Sequence, residues 1–164
     1  MTATHAFTIR PATPHDERAL LDLTDRLADF DVPAWRTARQ IAEADHEILR
    51  EALHHPASER LVVVAEDAGG HPLGCLLATT RTDYFTGAPH AHVEVLAVAE
   101  RAQGRGIARA LMAEAEAWAR ARRYSSITLN VFERNARARG LYEHLGYAPE
   151  TIKYAKQLPE PNHP

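Results

Sequence analysis

A predicted β-strand, a short glycine-bearing turn and a long predicted helix follow one another in the middle of the chain. The turn contains Gly104 and Gly106, and the helix is expected from Gly104 to Arg122. Such a turn gathers free backbone N–H groups and the positive end of the helix dipole at one point, where a pyrophosphate can bind. Glycine lets the backbone approach the phosphate without an intervening side chain. Arg101 and Arg105 add positive charge.

Two common nucleotide-binding patterns do not fit this turn. In G-x-G-x-x-G the third glycine would stand where Arg109 is found, and a Walker A loop needs a Lys followed by Ser or Thr. Glycines between a strand and a helix also serve simple packing. The turn alone therefore leaves open whether a ligand binds there.

The other apolar patterns predict a mixed α/β domain with the element order β-α-α-β-β-β-α-β-α-β. Strands are expected at residues 7–10, 61–65, 72–80, 91–98 and 126–131, with one or two more within 147–158. Helices are expected from about residue 16 to 30, and at 37–53, 104–122 and 135–145. The length suits one domain over residues 1–164, with a frayed Pro-rich tail at 159–164.

Composition excludes some classes of function. The formal net charge of -3 argues against a protein whose main role is to hold nucleic acid, because such proteins usually carry a basic stripe. No apolar run of about 18 residues is present, so a membrane span is not expected. The single cysteine, Cys75, lies in an apolar run and has no disulfide partner within the chain, which favours a reducing cytoplasm.

A second motif follows the glycine turn, and the two together resemble the GNAT acetyltransferases. The family's R/Q-x-x-G-x-G/A pattern appears as Arg101-Ala102-Gln103-Gly104-Arg105-Gly106, and its N-x-x-A-x-x-L-Y-x-x-x-G-F/Y pattern as the segment from Asn135 to Tyr147. The resemblance implies a mostly antiparallel central sheet flanked by helices, with a splay between the fourth and fifth strands. It also implies an N-acetyltransferase.

The resemblance further implies acetyl-CoA as the acyl donor. The backbone of Leu96 and Val98 would pair with the pantetheine arm like an extra strand, and the N–H groups of residues 103–108 would hold the pyrophosphate. Asn135 would hydrogen-bond the arm or the thioester end, or cap the helix that begins there. The expected cofactor-binding residues are Leu96, Ala97, Val98, Arg101, Gln103, Gly104, Arg105, Gly106, Ile107, Ala108 and Asn135.

Acetyl transfer to an amine requires a base and an acid, because alkyl amines titrate near 10 and thiols near 8.5. The resemblance implies that Tyr142 points at the cofactor sulfur and acts as the acid. Its alternative is a tyrosine packed half in the core, next to Leu141 and Leu145.

The strand before the turn offers the candidate base. Period-two alternation places His92, Glu94, Leu96 and Val98 on one face unless a bulge intervenes. A carboxylate in such an apolar strand is unusual, so Glu94 is the first candidate and His92 the second. The segment also resembles the paired-histidine strand of arylalkylamine acetyltransferases, with Glu in place of the second histidine. Alternatively, Glu94 only orients a neighbouring loop or strand.

His90 and His92 lack a clear third ligand, so no metal is expected. The first two helices carry many acidic residues, which favour a cationic acceptor or form an ordinary solvated face. These residues are Asp22, Asp25, Asp29, Asp31, Glu43, Asp45, Glu47 and Glu51. Trp35, Tyr84 and Phe85 lie in or next to predicted loops and are candidates to line the acceptor pocket.

These observations predict an N-acetyltransferase that moves an acetyl group from acetyl-CoA to a primary amine of a small molecule, by direct attack on the thioester. Two alternatives stay open: a protein or peptide N-acetyltransferase, and a non-catalytic acyl-CoA-binding sensor. The presence of both Glu94 and Tyr142 favours an enzyme. A homodimer is a further possibility, suggested by the family resemblance and by the β-rich segment from Ile152 to Leu158.

Overall fold

The computed structural model describes residues 7–159. Its five strands are β1 (Thr8–Pro11), β2 (Arg60–Glu66), β3 (Pro72–Thr82), β4 (Pro89–Val98) and β5 (Ile127–Leu129). Its α-helices are α1 (Glu17–Thr24), α2 (Ala38–His54), α3 (Ile107–Ala121) and α4 (Ala136–His144). Short 3₁₀ turns precede α1 (Pro14–Asp16) and follow β4 (Glu100–Ala102). No helix among the described residues is both long and apolar enough to cross a membrane.

The strands form one sheet in the order β1-β2-β3-β4-β5. The first four are antiparallel neighbours, whereas β5 runs parallel to β4. The pairing of β4 with β5 is short and joins residues 91–93 to residues 127–129. Beyond Val93 the two strands separate. The predicted fold, a mostly antiparallel sheet with a splay between its fourth and fifth strands, is confirmed.

Two apolar cores lie on opposite faces of this sheet. One face packs against α3 through Ile107, and the other packs against α1 and α2 through Leu20 and Leu49. Gly74 of β3 lets α3 approach closely, because a Cβ there would lie 2.8 Å from the carbonyl oxygen of Ala97 and 3.1 Å from Ile107 Cγ2. This close packing sets the beginning of α3 beside the end of β4.

The first helix is shorter than predicted. The helical spacing of its leucines continues to Phe30, but α1 ends at Thr24. The Thr24 hydroxyl donates to the carbonyl oxygen of Leu21 at 2.8 Å, and the N–H groups of Leu27 and Asp29 bond three residues back in tight turns. Such local bonds compete with continuation of an α-helix.

The predicted strands within residues 147–158 are wrong. Residues 148–159 contain no strand, and the side chains of Ile152, Tyr154 and Leu158 are 75%, 90% and 79% exposed. β-Propensity reflects packing against neighbours on a pleated surface, which this segment lacks within the described chain. The predicted frayed tail lies, except for Pro159, outside the described residues.

Candidate functional site

A β-bulge lies at Glu94, where β5 leaves β4. The register of β3 against β4 runs through Leu77 paired with Val95 and then jumps to Ala78 paired with Val93, so Glu94 has no partner on β3. The bulge directly follows Val93, the last residue that β4 pairs with β5. A bulge bends a strand and redirects its side chains.

The bulge changes which side chains share a face. Val93 and Leu96 both pack into the core on the α3 side, although strict alternation would put them on opposite faces. Glu94 instead lines a cavity next to α2, and His92 lies on the face opposite Val93. The prediction that His92, Glu94, Leu96 and Val98 share one face is therefore wrong: the first two face the α2 side and the last two the α3 side.

The Glu94 carboxylate is held by two neighbours on β3. The Thr79 hydroxyl donates to Oε1 at 2.7 Å, and the Arg81 guanidinium donates from Nε to Oε1 at 2.9 Å and from Nη2 to Oε2 at 2.6 Å. Fork-like contacts of this kind fix a carboxylate's orientation. The Glu94 side chain remains 15% exposed, so a ligand in the adjacent cavity can reach it.

His92 lies beside Glu94, with its Nε2 atom 4.0 Å from Glu94 Oε2. Its other ring nitrogen, Nδ1, is 2.7 Å from the hydroxyl of Thr128 on β5. Burial lowers the pKa of His92 to about 4; the positive charge of Arg81 acts in the same direction, and Glu94 opposes it. The imidazole is therefore neutral at pH 7.

Asp45 of α2 is a second carboxylate near Glu94. Burial raises the pKa of Asp45 to about 6; His46 opposes this shift, and repulsion from Glu94 adds to it. The sequence-based prediction does not distinguish Asp45 from the other acidic residues of the first two helices. Its spacing of four from Leu49 and seven from Ala52, both buried, is the signal that would have placed it on the inner face.

A cavity of about 770 Å³ lies beside Glu94, between α2 and β3. Its lining includes the apolar side chains of Leu77 and Ile48 and the charged side chains of Glu47 and Arg81. The predicted pocket residues lie elsewhere. Trp35, Tyr84 and Phe85 are not among its lining residues, all three are exposed, and the last two pack against each other in the β3–β4 loop, with ring centroids 5.3 Å apart.

The connection between α1 and α2 is tethered on both sides of the splay. Arg26 pairs with Glu100, which follows β4, at 2.6 Å, and Asp31 pairs with Arg134, which follows β5, at 2.7 Å. The connection therefore spans the region where the two strands diverge. Asp31 is one of the acidic residues that the sequence places in the first helix region, and here its carboxylate pairs with Arg134.

Within residues 7–159, the splay leaves one edge of β4 without a partner strand after Val93. The N–H of Ala99 donates to Leu73 on the β3 side, so by alternation the backbone groups of Leu96 and Val98 point away from β3, toward the open edge. Ala97 is buried, with its side chain in the core on the side of α1 and α2. The predicted pairing residues thus present free backbone donors and acceptors.

The glycine turn forms the beginning of α3. Gly104 and Gly106 have φ angles of +73° and +79°, in the left-handed region that favours glycine. Gly106 is the N-cap and supplies no capping side chain. Within the described chain, the N–H groups of Gly104, Gly106 and Ile107 donate no hydrogen bond to another backbone group. The helix terminus therefore keeps its donors available.

Helix α4 carries the second motif. The Asn135 side-chain oxygen accepts from the N–H of Ala138 at 3.1 Å and caps the helix. Tyr142 is half-buried against the core on the α3 side, with its ring centroid 6.1 Å from that of Tyr147. Burial raises the pKa of Tyr142 above its ordinary value, so the phenol is protonated at neutral pH.

A family model for the acetyltransferase (GNAT) family matches residues 21–147, more than three quarters of the chain. The chain belongs to the GNAT family. The predicted resemblance is therefore confirmed, and it extends well beyond the two motifs that suggested it.

The similar proteins include acetyltransferases. A mycothiol acetyltransferase of Beutenbergia cavernae is 43% identical over 67 residues, which make up 41% of this chain and 23% of that protein, so the match spans about a quarter of the relative. A putative acetyl transferase from Pyrococcus furiosus is 25% identical, with a TM-score of 0.75 over 93% of this chain and 100% of that one. The aminoglycoside 6'-N-acetyltransferase AAC(6')-Ih from Acinetobacter baumannii, 20% identical with a TM-score of 0.71 over 93% and 99% of the chains, shares the fold.

GNAT enzymes use acetyl-CoA, and the turn before α3 fits its pyrophosphate. A Cβ atom at Gly104 or Gly106 would meet nothing within 4 Å, so the turn is open on the side where these side chains would lie. Arg105 Nε is buried and has no hydrogen-bond partner in the described structure, a donor that an anion would satisfy. Arg101 instead donates to the carbonyl oxygen of Pro72 at 3.1 Å. Ile107 has a buried side chain, so only its backbone is available.

The other predicted cofactor residues lie around this turn. Gln103 is exposed and Ala108 half-buried, one on each side of the two glycines. Within residues 7–159, no group of three or more His, Cys, Asp or Glu side chains is placed to hold a metal ion.

Proposed function

We propose that this GNAT protein transfers the acetyl group of acetyl-CoA to a primary amine of a small molecule, with Glu94 accepting the proton that the amine loses. One observation carries the proposal. The carboxylate stands at the bulge where β5 leaves β4, so it lies at the splay and also faces the cavity beside α2. A base at this position is near both the open strand edge and the acceptor.

The residues that would hold acetyl-CoA lie along the open edge of β4 and the turn that follows it. Backbone groups of Leu96 and Val98 would pair with the pantetheine arm, and the N–H groups of residues 103–108 would bind the pyrophosphate. Arg105 would add a charge-assisted hydrogen bond. When bound, acetyl-CoA supplies the thioester that the amine attacks.

The α2 side of the splay favours a cationic acceptor. Glu94 and Asp45 are close enough to repel, and an ammonium group between them would relieve that repulsion. His92 is neutral, so the positive charge next to Glu94 comes from Arg81, which pairs with it. Bringing the amine's proton next to a fixed carboxylate allows it to be removed, directly or through a water molecule.

Tyr142 is the proposed acid. It packs on the α3 side, whereas Glu94 faces the α2 side, and the two faces meet at the gap between β4 and β5. The base and the acid would thus act from opposite faces of the sheet. The phenol, which burial keeps protonated, would protonate the departing thiolate.

The cavity favours a small molecule over a protein acceptor. Its volume of about 770 Å³ lies within the range of roughly 300–1,000 Å³ that is typical of small-molecule pockets. Its lining combines apolar side chains with charged ones, which suits an amine attached to a compact carbon skeleton.

A screen of amines with acetyl-CoA, followed by thiol release, tests this function. The panel should contain a polyamine, an aminoglycoside, an amino acid amide and a peptide with a free N-terminus. We expect turnover with at least one small amine, and turnover with the peptide alone would reject the proposed acceptor class.

Tyr142→Phe should lower kcat roughly 10- to 10,000-fold with acetyl-CoA affinity nearly intact. A fully active Tyr142→Phe enzyme would show that the thiolate leaves unprotonated.

A further inference from the structure

Two histidines of β4 share one hydroxyl group of β5. His90 Nε2 lies 3.1 Å and His92 Nδ1 lies 2.7 Å from Thr128 Oγ1. Both imidazoles are buried, with 9% and 5% of their surface exposed. Thr128 Oγ1 is also 3.4 Å from the carbonyl oxygen of Ala91. A hydroxyl has one hydrogen to donate, so these contacts restrict where the ring protons can be.

The proton of His90 is the easiest to assign. His90 Nδ1 is buried and has no hydrogen-bond partner in the described structure. A buried N–H without an acceptor is rarer than a buried acceptor without a donor. His90 therefore carries its proton on Nε2 and donates it to Thr128 Oγ1.

The hydroxyl of Thr128 then has two acceptors within reach. His92 Nδ1 at 2.7 Å is at the normal O–H hydrogen-bond distance, whereas the Ala91 carbonyl at 3.4 Å is too far for a strong bond. Donation to His92 Nδ1 leaves the ring proton of His92 on Nε2. That N–H faces Glu94 Oε2 across 4.0 Å.

We propose that Thr128 and His90 are positioning residues of the acetyl-transfer site, which direct a chain of donors from His90 through Thr128 and His92 toward Glu94. The inference rests on the proposed function for its catalytic consequence. With its proton on Nε2, His92 has no lone pair facing the acceptor and cannot take the amine's proton. Glu94 is then the base, and His92 orients the polar atom that lies between the two side chains.

The 4.0 Å gap suits this division of roles. It is too long for a direct hydrogen bond and leaves room for one bridging polar atom. His92 Nε2–H donates to that atom, and Glu94 accepts from it. If a water molecule occupies the gap, it takes the proton from the amine nitrogen and passes one of its own to the carboxylate, so the charge balances.

Nitrogen-15 NMR of the histidine rings tests the inference without any acetyl transfer. The His92 signals are assigned by their loss in His92→Gln. We expect His92 to be protonated on Nε2 and unprotonated on Nδ1 in the wild type and in Thr128→Ser, which keeps the hydroxyl. Thr128→Val removes it, and the His92 ring should become a mixture of tautomers. A wild-type His92 protonated on Nδ1, or ring signals unchanged in a folded Thr128→Val, would overturn the proposal.

A kinetic comparison adds the catalytic consequence. Thr128→Val should lower kcat/KM for the amine roughly 10-fold, less than the roughly 100-fold or more expected for losing a general base. Acetyl-CoA affinity should not change, and Thr128→Ser should restore the rate. If the protein acetylates no amine at all, the proposed function fails, while the ring spectra still decide the tautomer. If Thr128→Val does not fold, the tautomer of His92 in the wild type decides alone whether the proposal holds.

Discussion

The turn at residues 103–108 and the cluster around Glu94 lie close to each other along the chain but are built in different ways. The turn offers backbone N–H groups, held by the positive φ angles of Gly104 and Gly106. The cluster offers side chains from several elements, and the charge of each depends on the others. Asp45 comes from α2, Arg81 from β3 and Thr128 from β5.

This difference decides how each site should respond to substitution. A backbone site depends on local conformation, so it should tolerate most side-chain changes and fail when a glycine is replaced. A side-chain site depends on its neighbours, so a single change should alter the protonation or placement of several groups. The three predictions below separate these behaviours, starting with the largest expected effect.

The largest effect is expected for Glu94→Gln. Removing the base should lower kcat/KM between roughly 100- and 10,000-fold. The acidic limb that the carboxylate sets in the profile of kcat/KM against pH should disappear, and the rate should instead recover partly at high pH with the neutral fraction of the amine. Glu47→Gln is the matched control, since it makes the same charge change in the lining of the same cavity. A Glu94→Gln enzyme with a wild-type pH profile would transfer the base role to His92 or to bulk water.

A smaller effect, on donor binding, is expected for Gly104→Asp. The φ angle of +73° strains any L-residue there, and a carboxylate would put a negative charge on the turn that is proposed to bind the pyrophosphate. Acetyl-CoA should bind on the order of 100-fold more weakly by calorimetry, about 2.7 kcal/mol. Gly87→Asp is the matched control, because Gly87 has a φ of +70° and equally open surroundings in the β3–β4 loop. Equal affinity in the two folded variants would remove the phosphate role from the turn.

The same difference explains what the sequence could predict. The turn depends on residues that are neighbours in the chain, so its motif is visible in the sequence and, with the motif from Asn135 to Tyr147, carries the family resemblance that implies the fold and its splay. The bulge at Glu94 depends on how β4 pairs with β3, and a register shift is not visible in one strand. Strict alternation therefore predicted the faces of His92 and Glu94 relative to Leu96 incorrectly.

Other parts of the site needed contacts that are distant in sequence. Arg81 and Thr128 gave no signal, because each meets the cluster through strand pairing. Asp45 did give a signal in its helical spacing, but it was masked by the many charges around it. The prediction that Tyr84 and Phe85 line the pocket rests on their loop position alone. They belong to the β3–β4 loop, while the cavity is lined by α2 and the body of β3.

The smallest expected effect is on stability, and it compares Asp45 with a carboxylate that has good partners. Arg10 lowers the pKa of Asp16 to about 2 through paired hydrogen bonds, while burial raises the pKa of Asp45 to about 6. The raised pKa of Asp45 gives stability that is complete below the unfolded pKa near 3.9 and is lost as the pH rises through 6. The lowered pKa of Asp16 gives stability that is present above 3.9 and is lost as the pH falls through 2.

Asp45→Asn should therefore match the wild-type Tm at pH 4 and exceed it at pH 8, with the gap opening between pH 4 and 6. Asp16→Asn should have a lower Tm at both pH values. Both differences should be a few degrees, because about 1 kcal/mol corresponds to roughly 2–4 °C in a protein of this size and partial exposure screens the charges. Thermal unfolding followed by circular dichroism measures them. If Asp45→Asn were as destabilising at pH 8 as Asp16→Asn, Asp45 would be a well-paired carboxylate, and the α2 side of the site would lack the repulsion that an amine is proposed to relieve.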